Sequence, residues 1–385
     1  MPPDYAPRHP YLKLAFVSNP QQHGTEIPNG PERNFLVAKA NSITRGSATL
    51  TGSFPVHQPR SFRRHQLDGI AQNKYLVSLK TDGVRYLLLL TRYNSEPRAV
   101  LIDRSMCVRE IEVWANDDYF DDTLLDGELV TERNVNDEIS DAFLAFDMFS
   151  CRGRSLAACV YSDRLSELFG VLLTVSDDVE GVEDVTNVVV DSRKICAAPD
   201  TNLRIVAKVV MSAAYTEHIW IERRHSRHLN DGLIFTPDVD RNSADVVFKW
   251  KPLSTIDVML RVTRDRPPSI LIRHSNKTRG TSVVDMGEGL KLRLVLESNV
   301  LLESLVEQGH VCFVVECACF IKGRIAFITP IRPRLDKDSP NHIHVVKETL
   351  YNVIERMDVH EIAKALGSEA PFVPSSPTYC DDDDY

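Results

Sequence analysis

LVSLKTDGVRYLLLL, residues 76 to 90, sets a lysine and an arginine around an Asp-Gly turn between two apolar, strand-like runs. Asp82-Gly83 is a strong hairpin dipeptide, because Gly takes the backbone angles that a tight turn requires. In the first run Leu76, Ser78 and Lys80 alternate with Val77 and Leu79, so Lys80 points away from the Val77/Leu79 face. If that side is a cleft, the amine reaches a ligand. Taken alone, the stretch reads equally well as an edge lysine before a hairpin.

Working outward, residues 75 to 147 repeat the same pattern of short β-rich runs and polar turns: YLVSL, YLLLL, AVLIDR, TLLDGELV, AFLAFDMF. This predicts an antiparallel sheet. A helical stretch follows at Ser162 to Leu173, then the acidic SDDVEGVEDVTNVVVDS, read as a surface insertion. A second helical stretch, Ala213 to Leu229, ends in ERRHSRHLN before another strand-like run, DGLIF. After Pro252 short strands resume (TIDVMLRV, SILIRH, KLRLVL, CFVVECACF, IAFITPI), in the size and number of a five-stranded OB barrel.

The expected fold class is therefore α+β, with an antiparallel-sheet domain at residues 53–252 and an OB-fold β-barrel domain at 253–345. Residues 1–52, rich in Pro, Asn, Gly and Ser, read as a loosely ordered extension without chemistry. A C-terminal helical segment, 346–368, is expected to pack back on the first domain. The tail, 369–385, ends in DDDD and reads as disordered.

The 385 residues carry 45 basic and 54 acidic side chains, a formal charge of −9, so the chain is not a basic coat for nucleic acid. Any RNA contact must be local. Arg223, Arg224, His225, Arg227 and His228, and the arginines Arg261, Arg264 and Arg266, are the candidates, although such clusters are commonly solvated faces. No apolar run reaches the length of a membrane span. Eight cysteines without a CxxC pair read as reduced thiols, with Cys317 and Cys319 on one strand face.

Further segments recur in order after KTDGVR: LIDRSM with Arg104, LLDGELV with Asp126 and Glu128, FLAFDMF with Phe146 and Asp147, DGLIF with Asp231, FKWKP with Lys249 and Lys251, and RPRLDK with Arg334, Asp336 and Lys337. From roughly Phe54 to Leu366 this ordered set resembles the covalent nucleotidyltransferase superfamily, which contains mRNA capping guanylyltransferases and polynucleotide ligases. KxDGxR is common to both branches. FKWKP followed closely by STIDV, RLDKDSPN before a helix, and LIDRSM resemble the capping branch. The link from Lys251 to TIDV, Pro252 to Ser254, is short for the family.

The resemblance implies that Lys80 attacks the α-phosphate of GTP, expels pyrophosphate and carries GMP until a 5′-diphosphate RNA end accepts it, giving the GpppN cap. A lysine amine with a pKa near ~10.4 is almost wholly protonated at neutral pH, so Lys80 is expected to have a lowered pKa. Burial, the charges of Lys249 and Lys251, and a divalent ion would each act in that direction. By the same resemblance Arg85 and Glu128 contact the sugar, Arg104 the ribose or its phosphate, and Phe146 stacks on the purine. Asp231 would hold Mg2+ or Mn2+. Lys249 and Lys251 stabilise charge on the phosphate, and Arg334, Asp336 and Lys337 meet the β- and γ-phosphates when the domains close.

Two other readings stay open on sequence: an ATP-dependent RNA or DNA ligase with the same lysyl chemistry, and a non-catalytic RNA-binding subunit. RNA triphosphatase and cap methyltransferase activities are expected on separate chains, and RNA polymerase is a possible partner. The expected location is the nucleus, or the cytoplasm for a viral enzyme.

Overall fold

The computed structural model describes residues 23–46, 54–56, 58–133, 138–174, 194–199, 201–243, 245–263, 266–274, 277–281, 283–287, 290–294, 312–334 and 337–367. The chain is mixed α+β and mostly strand. It divides into two compact units, the first holding the residues up to Arg60 and Ile70–Phe248, the second Ser61–Gly69 and Lys249–Ala365.

The first unit opens on helix α1 (Pro31–Arg45). Its strands are β1 (Tyr75–Thr81), β2 (Val84–Tyr93), β3 (Glu96–Asp103), β4 (Val108–Glu110), β5 (Thr123–Arg133) and β6 (Ile139–Cys151). Helix α2 (Tyr161–Val171), β7 (Leu203–Ala207), helix α3 (Thr216–Glu222) and β8 (Asn230–Pro237) follow, and β9 (Phe248–Trp250) begins at the unit's last residue. One sheet runs β4-β3-β2-β5-β6-β7, with short strands at both ends.

That sheet is antiparallel as far as β6 and then turns parallel, because β7 pairs with β6 in the same direction. Residues 75 to 147 thus pair antiparallel, and the parallel strand is added beyond them for a connectivity reason. A chain returning to the same end of a sheet needs a crossover, and α2 lies in it. The acidic insertion after Leu173 falls in the same crossover, outside the described residues.

The run YLLLL is apolar without alternation because its strand is covered on both faces. Leu88 and Leu90 join Leu101, Leu125, Phe143 and the α2 residues Leu165 and Leu168 in one core. Leu87 and Leu89 join Val100, Ile102 and the α1 residues Leu36, Val37 and Ala40 in another. Helix α1 thus corrects the expectation of a loose extension over residues 1–52. Gly30 and Pro31 start the helix, as Pro at the first helical turn commonly does, and its narrow Leu36/Val37/Ala40 stripe is core.

A second sheet in this unit is centred on β1 and β8, which pair antiparallel, with Met211–Ser212 beyond β1 and β9 beyond β8. It carries Lys80.

The second unit is built on β10 (Thr255–Thr263), β11 (Arg266–His274), β12 (Lys277–Thr281), β13 (Val283–Gly287), β14 (Leu290–Leu294), β15 (Cys312–Lys322) and β16 (Ile325–Pro333). These seven strands form one sheet in the order β12-β11-β10-β15-β16-β14-β13, more strands than the five expected. Helix α4 (Ile343–Glu355) and helix α5 (Val359–Ala365) close the described chain.

Val346 and Leu350 of α4 pack among Val258, Leu260, Val315 and Ile328, so this helix belongs to the second unit and not to the first. Arg63 and Arg64 join the same unit. Arg63 donates to Glu355 at 2.8 Å and lies over the Tyr351 ring at 4.4 Å. The boundary consequently falls at Phe248/Lys249, a few residues before the expected 252/253. The expected tail, from 368 on, lies outside the described residues.

Candidate active site

Lys80 is the next-to-last residue of β1 and faces Asp231 of β8, Nζ to Oδ1 2.7 Å. The β8 strand makes this contact through a bulge. Asn230 pairs with Thr81 and Gly232 with Lys80, leaving Asp231 as the extra residue between them. A bulge bends its strand and re-aims a side chain, and here it delivers the carboxylate to the amine.

Behind Lys80 the Asp-Gly turn is pressed against β5. A Cβ on Gly83 would come within 2.3 Å of the Leu129 carbonyl oxygen and 2.7 Å of Val130 Cγ1. Only glycine allows that approach. The Asp82 backbone N–H donates to the Leu229 carbonyl at 2.9 Å, which fixes the other side of the turn.

Glu128 comes from β5, opposite Arg85 of β2. Thr81 Oγ1 donates to Glu128 Oε2, and the buried Lys208 donates to Thr81 Oγ1 at 3.1 Å. Arg85 is nearly buried and forked onto Asp126, Nε to Oδ1 2.9 Å and the terminal nitrogen to Oδ2 2.6 Å. Phe146 is half-buried, its ring 5.5 Å from the Arg85 guanidinium and 5.5 Å from the Lys208 amine. It too is a bulge residue: Asp126 pairs with Asp147 and Gly127 with Ala145, so Phe146 has no opposite number.

Phe146 and Asp147 turn to different partners. The Asp147 carboxylate accepts from Arg164 at 2.8 and 3.2 Å and from Arg241 at 3.3 Å, and is a packing element. Arg104 sits on the turn after β3, where Asp103 Oδ1 accepts from the backbone of Ser105 and Cys107 at 2.8 Å each. Partial burial, then repulsion from Arg85, pushes the Arg104 guanidinium below its ordinary pKa.

The amine of Lys80 departs from expectation. Burial alone would lower its pKa, but the charge and hydrogen bond of Asp231, with Glu128 and Asp82 behind, outweigh burial and hold it above the ordinary lysine value. Before substrate arrives Lys80 is an ammonium held in place by carboxylates. Lys208 is the reverse case. Burial, assisted by repulsion from Lys80 and Arg85 and opposed by Glu128, brings it down to about 8.

Lys208 lines the candidate site beside Thr81 and Phe146, and sequence reasoning missed it. The available signal was a lone lysine closing the buried run LRIVA, where a charged residue needs a reason.

Lys249, Lys251, Arg334 and Lys337 belong to the second unit, and Asp336 lies outside the described residues. In β9 Phe248 and Trp250 are buried, and Trp250 donates from its indole to the Met357 carbonyl at 3.0 Å. Lys249 and Lys251 therefore alternate away from that buried side, as KxK on a strand requires. The structure also joins two segments that the sequence kept 80 residues apart. Lys337 donates to Asp257 of the TIDV strand, and Arg334 reaches the same carboxylate at 3.5 Å. Of the basic RNA candidates, Arg223 folds back onto Trp220, 3.7 Å from the ring, and Arg224 onto the Ile221 carbonyl at 3.0 Å. Arg264 and the side chain of Arg266 lie outside the described residues.

For a divalent ion, the described residues contain no group of three or more His, Cys, Asp or Glu side chains able to enclose one. Asp231 and Glu128 supply hard oxygen donors beside Lys80. That set fits Mg2+ or Mn2+ bound by one or two carboxylates together with substrate phosphates, not a metal held by protein alone.

Residues 23–253 match the family model described as mRNA capping enzyme, catalytic domain. An mRNA-capping enzyme subunit alpha of Schizosaccharomyces pombe is 28% identical, over 87% of this chain and 85% of its own. An mRNA-capping enzyme of Danio rerio is 27% identical over 55% of this chain, which covers only 35% of that longer protein. A solved structure titled Pmar-Lig_Pre. aligns over 72% of this chain and 67% of its own, at 10% identity and a TM-score of 0.32, too distant to carry an argument. The family match spans more than half of the sequence and contains Lys80, Glu128, Phe146 and Asp231, and the chain belongs to the mRNA capping enzyme family, a nucleotidyltransferase.

Proposed function

We propose that this chain is a GTP:RNA guanylyltransferase working through a lysyl-GMP intermediate. The observation that carries the reading is Lys80, locked to Asp231 across a bulge and flanked by Glu128, in the portion of the chain that matches the capping catalytic domain. Nζ of Lys80 forms a bond to the α-phosphorus of GTP while the bond from that phosphorus to the pyrophosphate oxygen breaks. The amine first gives up a proton to solvent, which the Asp231 contact opposes until substrate displaces it. In the second step the terminal oxygen of a 5′-diphosphate RNA takes the phosphorus, and the lysine nitrogen leaves.

Phe146 offers a ring for the purine, with Lys208 beside it. An ammonium only donates, so it suits the O6 and N7 acceptors of guanine and opposes the amino group of adenine. Glu128 and Arg104 are assigned to the ribose side. Arg85, committed to Asp126, orients Phe146 and supplies positive charge. Asp231 would hold the divalent ion, which when bound supplies positive charge to the α-phosphate. Lys249, Lys251, Arg334, Asp336 and Lys337 are assigned to the phosphates, and the second unit's sheet to an OB-type domain.

The substrates are GTP and RNA bearing a 5′-diphosphate. The Schizosaccharomyces pombe relative is named as a subunit, and this chain too is expected to work with separate triphosphatase and methyltransferase chains near RNA polymerase, in the nucleus or a viral cytoplasmic site. Incubation with α-labelled GTP or ATP and a divalent ion, followed by denaturation, tests the reading. The expected result is a GMP label on wild type and none on Lys80→Ala. A preferential AMP label would make the protein a ligase, and no label on either would leave a binding subunit.

A further inference from the structure

The second unit's sheet has one face turned to α4 and one turned outward, and the outward face is built unlike an ordinary solvated surface. On β15 Cys317 and Cys319 are buried while Phe320 is 48% exposed and Lys322 is exposed. On β16 Ala326 and Ile328 are buried while Ile325, Phe327 and Thr329 are open to varying degrees. On β14 Leu292 is buried between exposed Lys291 and Arg293.

The register assembles these outward residues. Phe320 pairs with Phe327, which pairs with Arg293, and Lys322 pairs with Ile325, which pairs with Lys291. The two rings stack on each other at 5.1 Å with 14° between their planes. Phe320 therefore keeps a ring face free of its partner, with Lys322 two residues along its own strand and Arg293 beyond Phe327.

Four residues back along β15, about 13 Å, the same face carries Glu316, in register with Asp257 and Arg332. Both carboxylates are already engaged: Glu316 accepts from Arg332 at 2.6 Å, and Asp257 holds Arg334 and Lys337. One face thus joins an aromatic step, a cationic margin and the cations of the RPRLDK segment.

We propose that this face is a platform for single-stranded RNA, holding transcript nucleotides behind the 5′ end with a base stacked on Phe320 and phosphates on Lys291, Arg293 and Lys322. Charge complementarity selects a polyanion, and an exposed aromatic ring selects one with unpaired bases. The platform rests on the guanylyltransferase reading for the identity of its RNA, and uses residues outside the GTP-binding set.

The test titrates the full chain with a labelled oligouridylate of about twelve nucleotides, read by fluorescence anisotropy over a range of salt, in parallel with covalent GMP labelling. Phe320→Ala is expected to weaken RNA binding about tenfold and Phe320→Trp to preserve it. Replacing Arg293 or Lys322 by Ala lowers the salt slope by about 0.7 for each phosphate no longer neutralised. All of these variants keep the wild-type GMP label, which also reports that they fold.

Unchanged RNA affinity in a normally labelled Phe320→Ala overturns the platform and leaves the enzyme reading standing. A wild type that takes no GMP overturns the enzyme reading, and the RNA titration then decides the platform by itself. Binding of an acidic peptide with no binding of RNA also overturns the platform.

Discussion

Two cation–carboxylate pairs in the first unit look alike in distance and differ in everything else. Lys80 meets Asp231 at 2.7 Å with side chains 22% and 32% exposed, through one ammonium contact on a strand bulge. Arg164 meets Asp147 at 2.8 Å with side chains 5% and 11% exposed, through a two-nitrogen fork, with Arg241 as a third member. A compact, half-open ammonium pair can be exchanged for a ligand at small cost. A buried fork cannot, because either partner left alone is a desolvated charge. The first pair is therefore open to exchange with a ligand, and the second is architectural.

The largest expected effect breaks the comparison at Lys80. Lys80→Ala abolishes covalent GMP labelling, a loss of at least about 10³-fold of the kind expected when a nucleophile is removed, while the melting temperature stays near that of wild type. Next is its counterpart. Asp147→Ala strands Arg164 and is expected to cost about 3–5 kcal/mol of stability, measured by denaturant unfolding, and activity falls only as folded protein falls.

Lys208 sharpens the comparison, being a buried cation without a carboxylate fork of its own. Its folded-state pKa, lowered to about 8, lies below that of the unfolded chain. Between roughly pH 8 and 10.5 the unfolded chain binds more protons, so this group's penalty is full below pH 8 and disappears as pH rises through that window. Lys208→Met is thus expected to raise stability at pH 7 by about 2–3 kcal/mol, with the gain gone above about pH 10.5, and to weaken discrimination of GTP from ATP. The smallest effect is at the ring. Phe146→Leu keeps a buried side chain but loses a stacking face, and the KM for GTP should rise about fivefold, about 1 kcal/mol, with folding unaffected.

Much of this site could be read before folding because its residues lie in short motifs on regular strands. The facing of Lys80 and the Lys249/Lys251 alternation follow from a period of two, and Glu128 from its place in the LLDGELV motif. Where the period breaks, local reading fails: Asp231 and Phe146 owe their aim to bulges, which only the partner strand's register reveals. Lys208 and Arg164 depend on the parallel β6–β7 pairing and its crossover helix, long-range features that no window of sequence contains. The state of Lys80 was misjudged for the same reason, since the carboxylates that raise its pKa arrive from β5, β8 and the turn. Helix α1 was missed because its stripe is three residues wide among turn-forming neighbours, although Gly30-Pro31 marked its start.

The extra residue on β8 also makes the chain's length there a matter of arithmetic. Removing Asn230 would take the extra residue out of the ladder, and the Asp231 carboxylate would turn to the other face of the sheet. A substitution at Asn230 leaves that count unchanged, whereas its deletion is expected to give a folded protein in which Asp231 no longer reaches Lys80.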